Sequence, residues 1–341
     1  MIYFTSDYTE GCHERILRRL TETNYEQTPG YGTDYHCQNA ARYILTECGR
    51  EDAWVHFLVG GTQTNMTLIA AALRPHQGAV CAESGHIHVH ETGAVEATGH
   101  KCLTLPSPDG KISAEQVREL VRLHREDESM EHTVQPGLVY ISNPTEYGTI
   151  YSLAELEALS AVCREAGIPL YLDGARLAYA LATPSNDAAL PDLARLCDAF
   201  YIGGTKCGAL LGEAVVFPRP DVAPHFFTIV KQHGALLAKG RVAGIQFDTL
   251  FTDDLYMKIS RHAIEMAALM RSIFRAKGYE FFMETTTNQI FITLTDERKA
   301  ELEKQCVLSF WEKPDAEHTV VRFATSWATA REDVLALAEI L

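Results

Sequence analysis

The stretch "IPLYLDGARLAYALATPSNDAALPDLARLCDAFYIGGTKCGAL", Ile168 to Leu210, contains two short apolar strands, and each leads to a charged residue. "IPLYLD" ends on Asp173, with Arg176 just beyond it, and "DAFYIGG" is followed within a few residues by Lys206. Burying an unpaired ammonium costs several kcal/mol or more, so Lys206 either neutralises, finds a partner or stays in water. A surface turn at Gly203-Gly204 would keep it in water. Asp173 reads equally as a cap on the next turn, a local partner for Arg176, or an acid set beneath a cofactor. If the two strands are parallel neighbours, Asp173 and Lys206 leave the sheet on the same edge. In open α/β sheets that edge is where ligands gather.

The flanking chain supports a parallel arrangement. "AWVHFLV" (Ala53–Val59), "GAVCAE" and "GLVYIS" read as further strands. Helix-period segments lie between them. "TQTNMTLIAAALRP" is a helix stopped by Pro75, "SAEQVRELVRLHRE" opens with a Ser113/Gln116 capping box, and "SLAELEALSAVCREAG" closes at Gly167. Alternating strands and helices predict an α/β fold with a mostly parallel sheet covered on both faces. After about Asp248 the pattern changes to one long amphipathic helix, two strands ("QIFITLT" and "TVVRFATSW") and a terminal helix from about Arg331. This predicts a short arm over residues 1–20, a large domain over 21–247 and a small α+β domain over 248–341.

Composition narrows the function class. The chain has 341 residues, 46% hydrophobic and 22% charged, as soluble globular proteins do. Its 30 Lys and Arg against 45 Asp and Glu give a net charge of −15, which argues against nucleic-acid or anionic-membrane partners. The nine cysteines are scattered, odd in number and without a CxxC pair, so neither a disulfide framework nor a thiolate zinc site is expected. Free thiols, no signal peptide and no membrane-spanning run predict a cytoplasmic protein.

Other strand ends carry chemistry too. In "VGGTQTN" (Val59–Asn65) a strand meets a helix through Gly60 and Gly61, followed by Thr62. Small residues, a hydroxyl and a helix N-terminus make a phosphate cradle, or simply a capped turn. "GHIHVHET" (Gly85–Thr92) brings His86, His88, His90 and Glu91 after another strand. On a helix His86 and His90 would share a face with metal-ligand spacing, but the H-E-x-x-H order is absent. The cluster otherwise reads as ordinary histidines or as an imidazole against a cofactor ring. Arg322 lies inside "TVVRFATSW", either as a half-exposed strand residue or as a bidentate clamp for a carboxylate. Phosphate cradle, acid and strand-end lysine together are what pyridoxal 5'-phosphate requires.

With these residues assembled, the chain resembles the threonine aldolases, in particular the phenylserine or low-specificity branch. The motifs that carry the likeness are "GYGTD", "VGGTQTN", "ESGHIHVHETGA", "YLDGARLAYAL" and "GGTKCG", in family order along nearly the whole chain. The resemblance implies the aspartate aminotransferase fold (fold type I) and a lyase that cleaves a β-hydroxy-α-amino acid to glycine and an aldehyde. It implies that Lys206 holds the coenzyme covalently, Asp173 pairs with its ring nitrogen, His86 lies on its ring, and Gly61 and Thr62 bind its phosphate. Ser6, Arg176 and Arg322 would take the substrate carboxylate. Arg241 would reach a phosphate, and Tyr31 a site, across a subunit boundary, which implies a homodimer or homotetramer with shared sites. The chain departs from the family pattern in "SNPTEYG", where many members have a histidine near the substrate hydroxyl. That leaves His86, or a water it orients, and then Glu91 as bases for the hydroxyl proton. A β-eliminating lyase or an aminotransferase on the same fold is the nearest rival reading, and a metal hydrolase built on His86, His90 and Glu91 is a more distant one.

Overall fold

A computed structural model describes residues 1–341. Its strands are β1 (Ile2–Tyr3), β2 (Trp54–Leu58), β3 (Gln77–Ala82), β4 (Cys102–Leu105), β5 (Gln135–Ser142), β6 (Leu170–Asp173) and β7 (Ala199–Gly203). They continue with β8 (Glu213–Phe217), β9 (Phe281–Met283), β10 (Gln289–Thr295), β11 (Cys306–Val307), β12 (Ser309–Glu312) and β13 (His318–Ala324). Seven of them form one sheet in the order β2-β8-β7-β6-β5-β3-β4. All pairs from β7 to β4 are parallel, and β8 runs antiparallel to both its neighbours. The sheet is therefore mostly parallel, as the alternation of elements requires. Strands buried on both faces should read as continuous apolar runs, and β6 and β7 do. One core lies on each face, with Val139, Leu172 and Phe200 on one side and Tyr140, Tyr171 and Tyr201 on the other.

β4 and β8 have no counterpart among the strands expected from the sequence. Each is only four or five residues long, which leaves periodicity little to register. The capping boxes at Ser113/Gln116 and Ser152/Glu155 are both formed, and Gly167 closes its helix at φ 72°.

Glycine sets how close the two decisive loops come. The Gly203 N–H donates to the Gly174 carbonyl at 2.9 Å. A Cβ on Gly174 would overlap the Tyr201 carbonyl oxygen, and one on Gly203 would overlap the Ala175 carbonyl. Only side-chain-free residues allow this crossing, which sets the turn after Asp173 against the strand that leads to Lys206. Gly203→Ala is expected to cost about 3 kcal/mol of stability, the upper range for overpacking a site that cannot relax. Chemical denaturation would read this as a lower midpoint at unchanged slope.

The second sheet, in the order β12-β13-β10-β9, is antiparallel. The long helix Leu255–Ala276 crosses from one body to the other. Its first half adds Tyr256, Ile259 and Ala263 to the core of the large sheet, and its second half adds Met270 and Phe274 to that of the small one. The first residues of the chain are tied down as well. β1 pairs with β11, and Phe4 packs in the small core. All nine cysteines are free and buried, and no helix is long and apolar enough to cross a membrane.

Candidate active site

Strand direction decides what meets at the carboxyl edge of the large sheet. Ser142 pairs with Asp173 at the ends of β5 and β6. Because β8 is reversed, its first residue, Glu213, stands beside Leu58 and Gly203, the last residues of β2 and β7. A cavity of about 270 Å³ opens there, and Gly61, Thr62, His86, Asp173, Arg176 and Lys206 all line it.

Asp173 is buried, and both of its oxygens are engaged. Oδ2 accepts from Tyr140 at 2.7 Å and Asn65 at 2.9 Å, while Oδ1 accepts from Tyr201 at 2.5 Å and the Ala175 N–H at 3.0 Å. Burial alone would raise its pKa. The His86 charge and the bonds from Tyr140, Tyr201 and Asn65 outweigh burial and hold the group below its ordinary value, so it stays an anion. It caps the turn that follows it through the Ala175 N–H, but it forms no local ion pair, because Arg176 pairs with Asp7 instead.

Lys206 faces the cavity with its Nζ 6.0 Å from the Tyr8 ring centroid. The carboxylates around it are engaged elsewhere: Asp7 with Arg176 and Asn288, Asp173 as above, and Glu213 with the Gly204 N–H. Burial, joined by the Arg176 charge, lowers the lysine's pKa against the pull of Asp7, Asp173 and Glu213. An amine in that position is a ready nucleophile, which a water-exposed lysine is not. The surface-turn reading of "GGTK" therefore does not hold: Gly203 and Gly204 are buried.

The helix Gly61–Ala72 begins at the cavity, with Gly60 as an N-cap that carries no side-chain bond. Gly60, Gly61 and Thr62, at its start, line the cavity, and the first N–H groups of a helix have no intrahelical partner. His86 opens a single helical turn, His86–Val89, and its Nδ1 lies 2.7 Å from Glu91. Asn65 joins the parts, because its amide donates to both Glu91 and Asp173 and its carbonyl accepts from Tyr171. No group of three or more His, Cys, Asp or Glu side chains converges with metal-binding geometry, His86, His90 and Glu91 included.

Arg176 forms a two-pronged pair with buried Asp7, at 2.7 and 3.1 Å. Arg322 donates to Gln289 and to the Thr5 carbonyl, and its buried Nε has no partner. Neither Arg322 nor Ser6, next to Asp7, is among the residues that line the cavity. Arg241 and Tyr31 also lie outside it. Arg241 donates to the carbonyls of Thr23, Asn24 and Glu26 of its own chain, and Tyr31 lines a separate apolar cleft with Trp54 and Phe57.

Glu213, Glu146, Asn65 and Asp7 were not foreseen from sequence. An acid opening an otherwise apolar strand, as in "GEAVVF", is a usable signal for Glu213. Glu146 falls in the "SNPTEYG" stretch, which by sequence stands out only for its absent histidine.

These residues fit pyridoxal phosphate. An unpaired amine, a buried anion with no basic partner, an imidazole and a free helix N-terminus line one cavity. A Cβ on Gly61 would sit 3.0 Å from the Tyr201 hydroxyl, so this position leaves little room for a side chain between cradle and acid.

Residues 4–297 match the family described as Beta-eliminating lyase. The low-specificity L-threonine aldolase of Pseudomonas aeruginosa is 30% identical over 296 residues, covering 86% of this chain and 84% of the relative. The probable low-specificity L-threonine aldolase of Schizosaccharomyces pombe is 26% identical, covering 80% of this chain and 71% of the relative. Among solved structures, a Leishmania major threonine aldolase superposes with a TM-score of 0.96 at 43% identity, covering 100% of this chain and 98% of that one. A Thermus thermophilus aspartate aminotransferase superposes at 0.72 with 16% identity, over 100% and 90% of the chains, which places the fold in fold type I.

Proposed function

Because the chain belongs to the beta-eliminating lyase family, we infer that it is a pyridoxal-phosphate-dependent carbon–carbon lyase of the threonine aldolase type. It cleaves a β-hydroxy-α-amino acid to glycine and an aldehyde. One observation carries the reading: an unpaired, desolvated lysine and a buried aspartate anion line a single cavity at a glycine-lined helix start.

Pyridoxal phosphate, when bound, supplies an electron sink for the pair released at the substrate's α-carbon. The chain's own residues do the rest. Lys206 would hold the coenzyme through Nζ, and burial favours the neutral amine this needs. Asp173 is the anion that would keep the ring nitrogen protonated. The N–H groups at Gly61 and Thr62, with the Thr62 hydroxyl, would take the phosphate, and His86 would lie against the ring. Arg322 and the remaining face of Arg176 take the substrate carboxylate, which fixes the orientation of the bond to be broken. Asp7 holds Arg176 in place for this. The finer reading is a cytoplasmic homodimer or homotetramer in which Tyr31 and Arg241 serve a neighbouring chain's site. In its favour, Tyr31 is exposed and held at φ 61°, outside its own chain's cavity.

The test is a panel of threonine, allo-threonine and phenylserine isomers given to the coenzyme-loaded protein. Aldehyde and glycine in equal amounts are expected. A keto acid with ammonia, or coenzyme left in its aminated form, would overturn the reading in favour of elimination or transamination.

A further inference from the structure

The loop after β5 carries a carboxylate that none of the roles above uses. Glu146 is 8% exposed and lines the same cavity as Lys206 and Asp173. Its Oε1 accepts from the Ser142 hydroxyl at 2.7 Å and from the His86 N–H at 3.0 Å. Its Oε2 is buried with no partner. A buried carboxylate oxygen without a donor is costly, so such an atom calls for a ligand. Its surroundings point to the substrate. The Glu146 carbonyl accepts from Gln289 at 3.5 Å, and Gln289 in turn accepts from Arg322 at 3.1 Å. The next residue, Tyr147, packs against Trp311, over which the Arg322 guanidinium sits 5.8 Å from the ring centroid. Glu146 is thus one residue removed from a carboxylate clamp.

Resting on the aldolase reading, we propose that Glu146 is the base that takes the substrate's β-hydroxyl proton on Oε2. The O–H bond breaks and its proton passes to Oε2. The C–O bond becomes the aldehyde carbonyl as the Cα–Cβ bond breaks. The electron pair of that bond remains on the α-carbon side, the position for which bound pyridoxal phosphate would supply the electron sink. In the synthetic direction the same proton returns to the aldehyde oxygen. Burial raises the proton affinity of Glu146 above that of an ordinary glutamate. The Ser142 bond and the His86 charge oppose this, and the Asp173 charge adds to it, leaving a better proton acceptor than an exposed carboxylate. Of the alternatives, Glu91 does not line the cavity, whereas His86 does, with its Nδ1 held by Glu91.

Glu146→Gln keeps an acceptor for Ser142 and the His86 N–H but cannot take a proton. Three readouts on the loaded enzyme separate the possibilities: visible absorption of the bound coenzyme, aldehyde release from threonine, and exchange of a glycine α-proton in heavy water by NMR. The exchange involves no β-hydroxyl. Expected are unchanged absorption, exchange within about threefold of the parent, and aldehyde release down about a hundredfold, the lower end for a lost general base. Aldehyde release at the parent rate would overturn the proposal, as would exchange and release falling together. Should the Gln variant not fold, Glu146→Asp answers the same question, with release falling while exchange holds. A parent enzyme that releases no aldehyde at all would refute the aldolase reading itself, a result distinct from any outcome for the variants.

Discussion

Lys206→Ala is expected to abolish both turnover and the visible absorption of covalently held coenzyme, while the protein still folds. The side chain removed is an amine that burial holds below its usual basicity and that no carboxylate neutralises. Its loss removes a polar amine that has no hydrogen-bond partner where burial disfavours charge, so stability should hold or rise slightly. Absorbance titration with pyridoxal phosphate, denaturation and aldehyde release together check this. Added methylamine should restore part of the activity, since it supplies an amine to the vacated space. A variant that keeps parental turnover would remove Lys206 from the chemistry altogether.

The second large effect belongs to Asp173. Removing its charge should lower aldehyde release by on the order of a thousandfold, about 4 kcal/mol of transition-state stabilisation at 1.4 kcal/mol per decade. The choice of variant matters. Asp173→Ala would strand the donors on Asn65, Tyr140, Tyr201 and Ala175, at about 1–3 kcal/mol for each buried group left unsatisfied. Asp173→Asn keeps an acceptor of nearly the same shape and isolates the charge. Coenzyme should still bind to the Asn variant, with altered absorption, while release collapses. A rate within tenfold of the parent would show that no anion is needed at that position.

Much of the site was legible in sequence because of one rule: in a parallel sheet, residues just past the strands' carboxyl ends share an edge. Gly61, Thr62, His86, Asp173 and Lys206 each follow a short apolar run, so the order of runs along the chain was enough to bring them together. Capping boxes and the closing glycine at 167 were equally local and equally readable. The rule fails where a strand is reversed. Glu213 begins its strand, so in a parallel sheet it would stand at the opposite edge, and only the antiparallel pairing of β8 brings it to the cavity.

Chain order and residue type by themselves determined the fold class, the sheet edge at which the candidate site lies and the placing of Lys206 and Asp173 there, because apolar periodicity and strand ends are properties of short stretches. The tertiary structure alone decided the partners. Arg176 could have paired with Asp173 nearby and instead pairs with Asp7, 169 positions away. Asp173 is held by four donors from three other strands and helices and its own turn, and Glu146 is left with one oxygen unanswered. Desolvation and hydrogen-bond satisfaction set the charge of each of these groups. Both depend on which distant segments pack around a side chain, and no local pattern of residues encodes that.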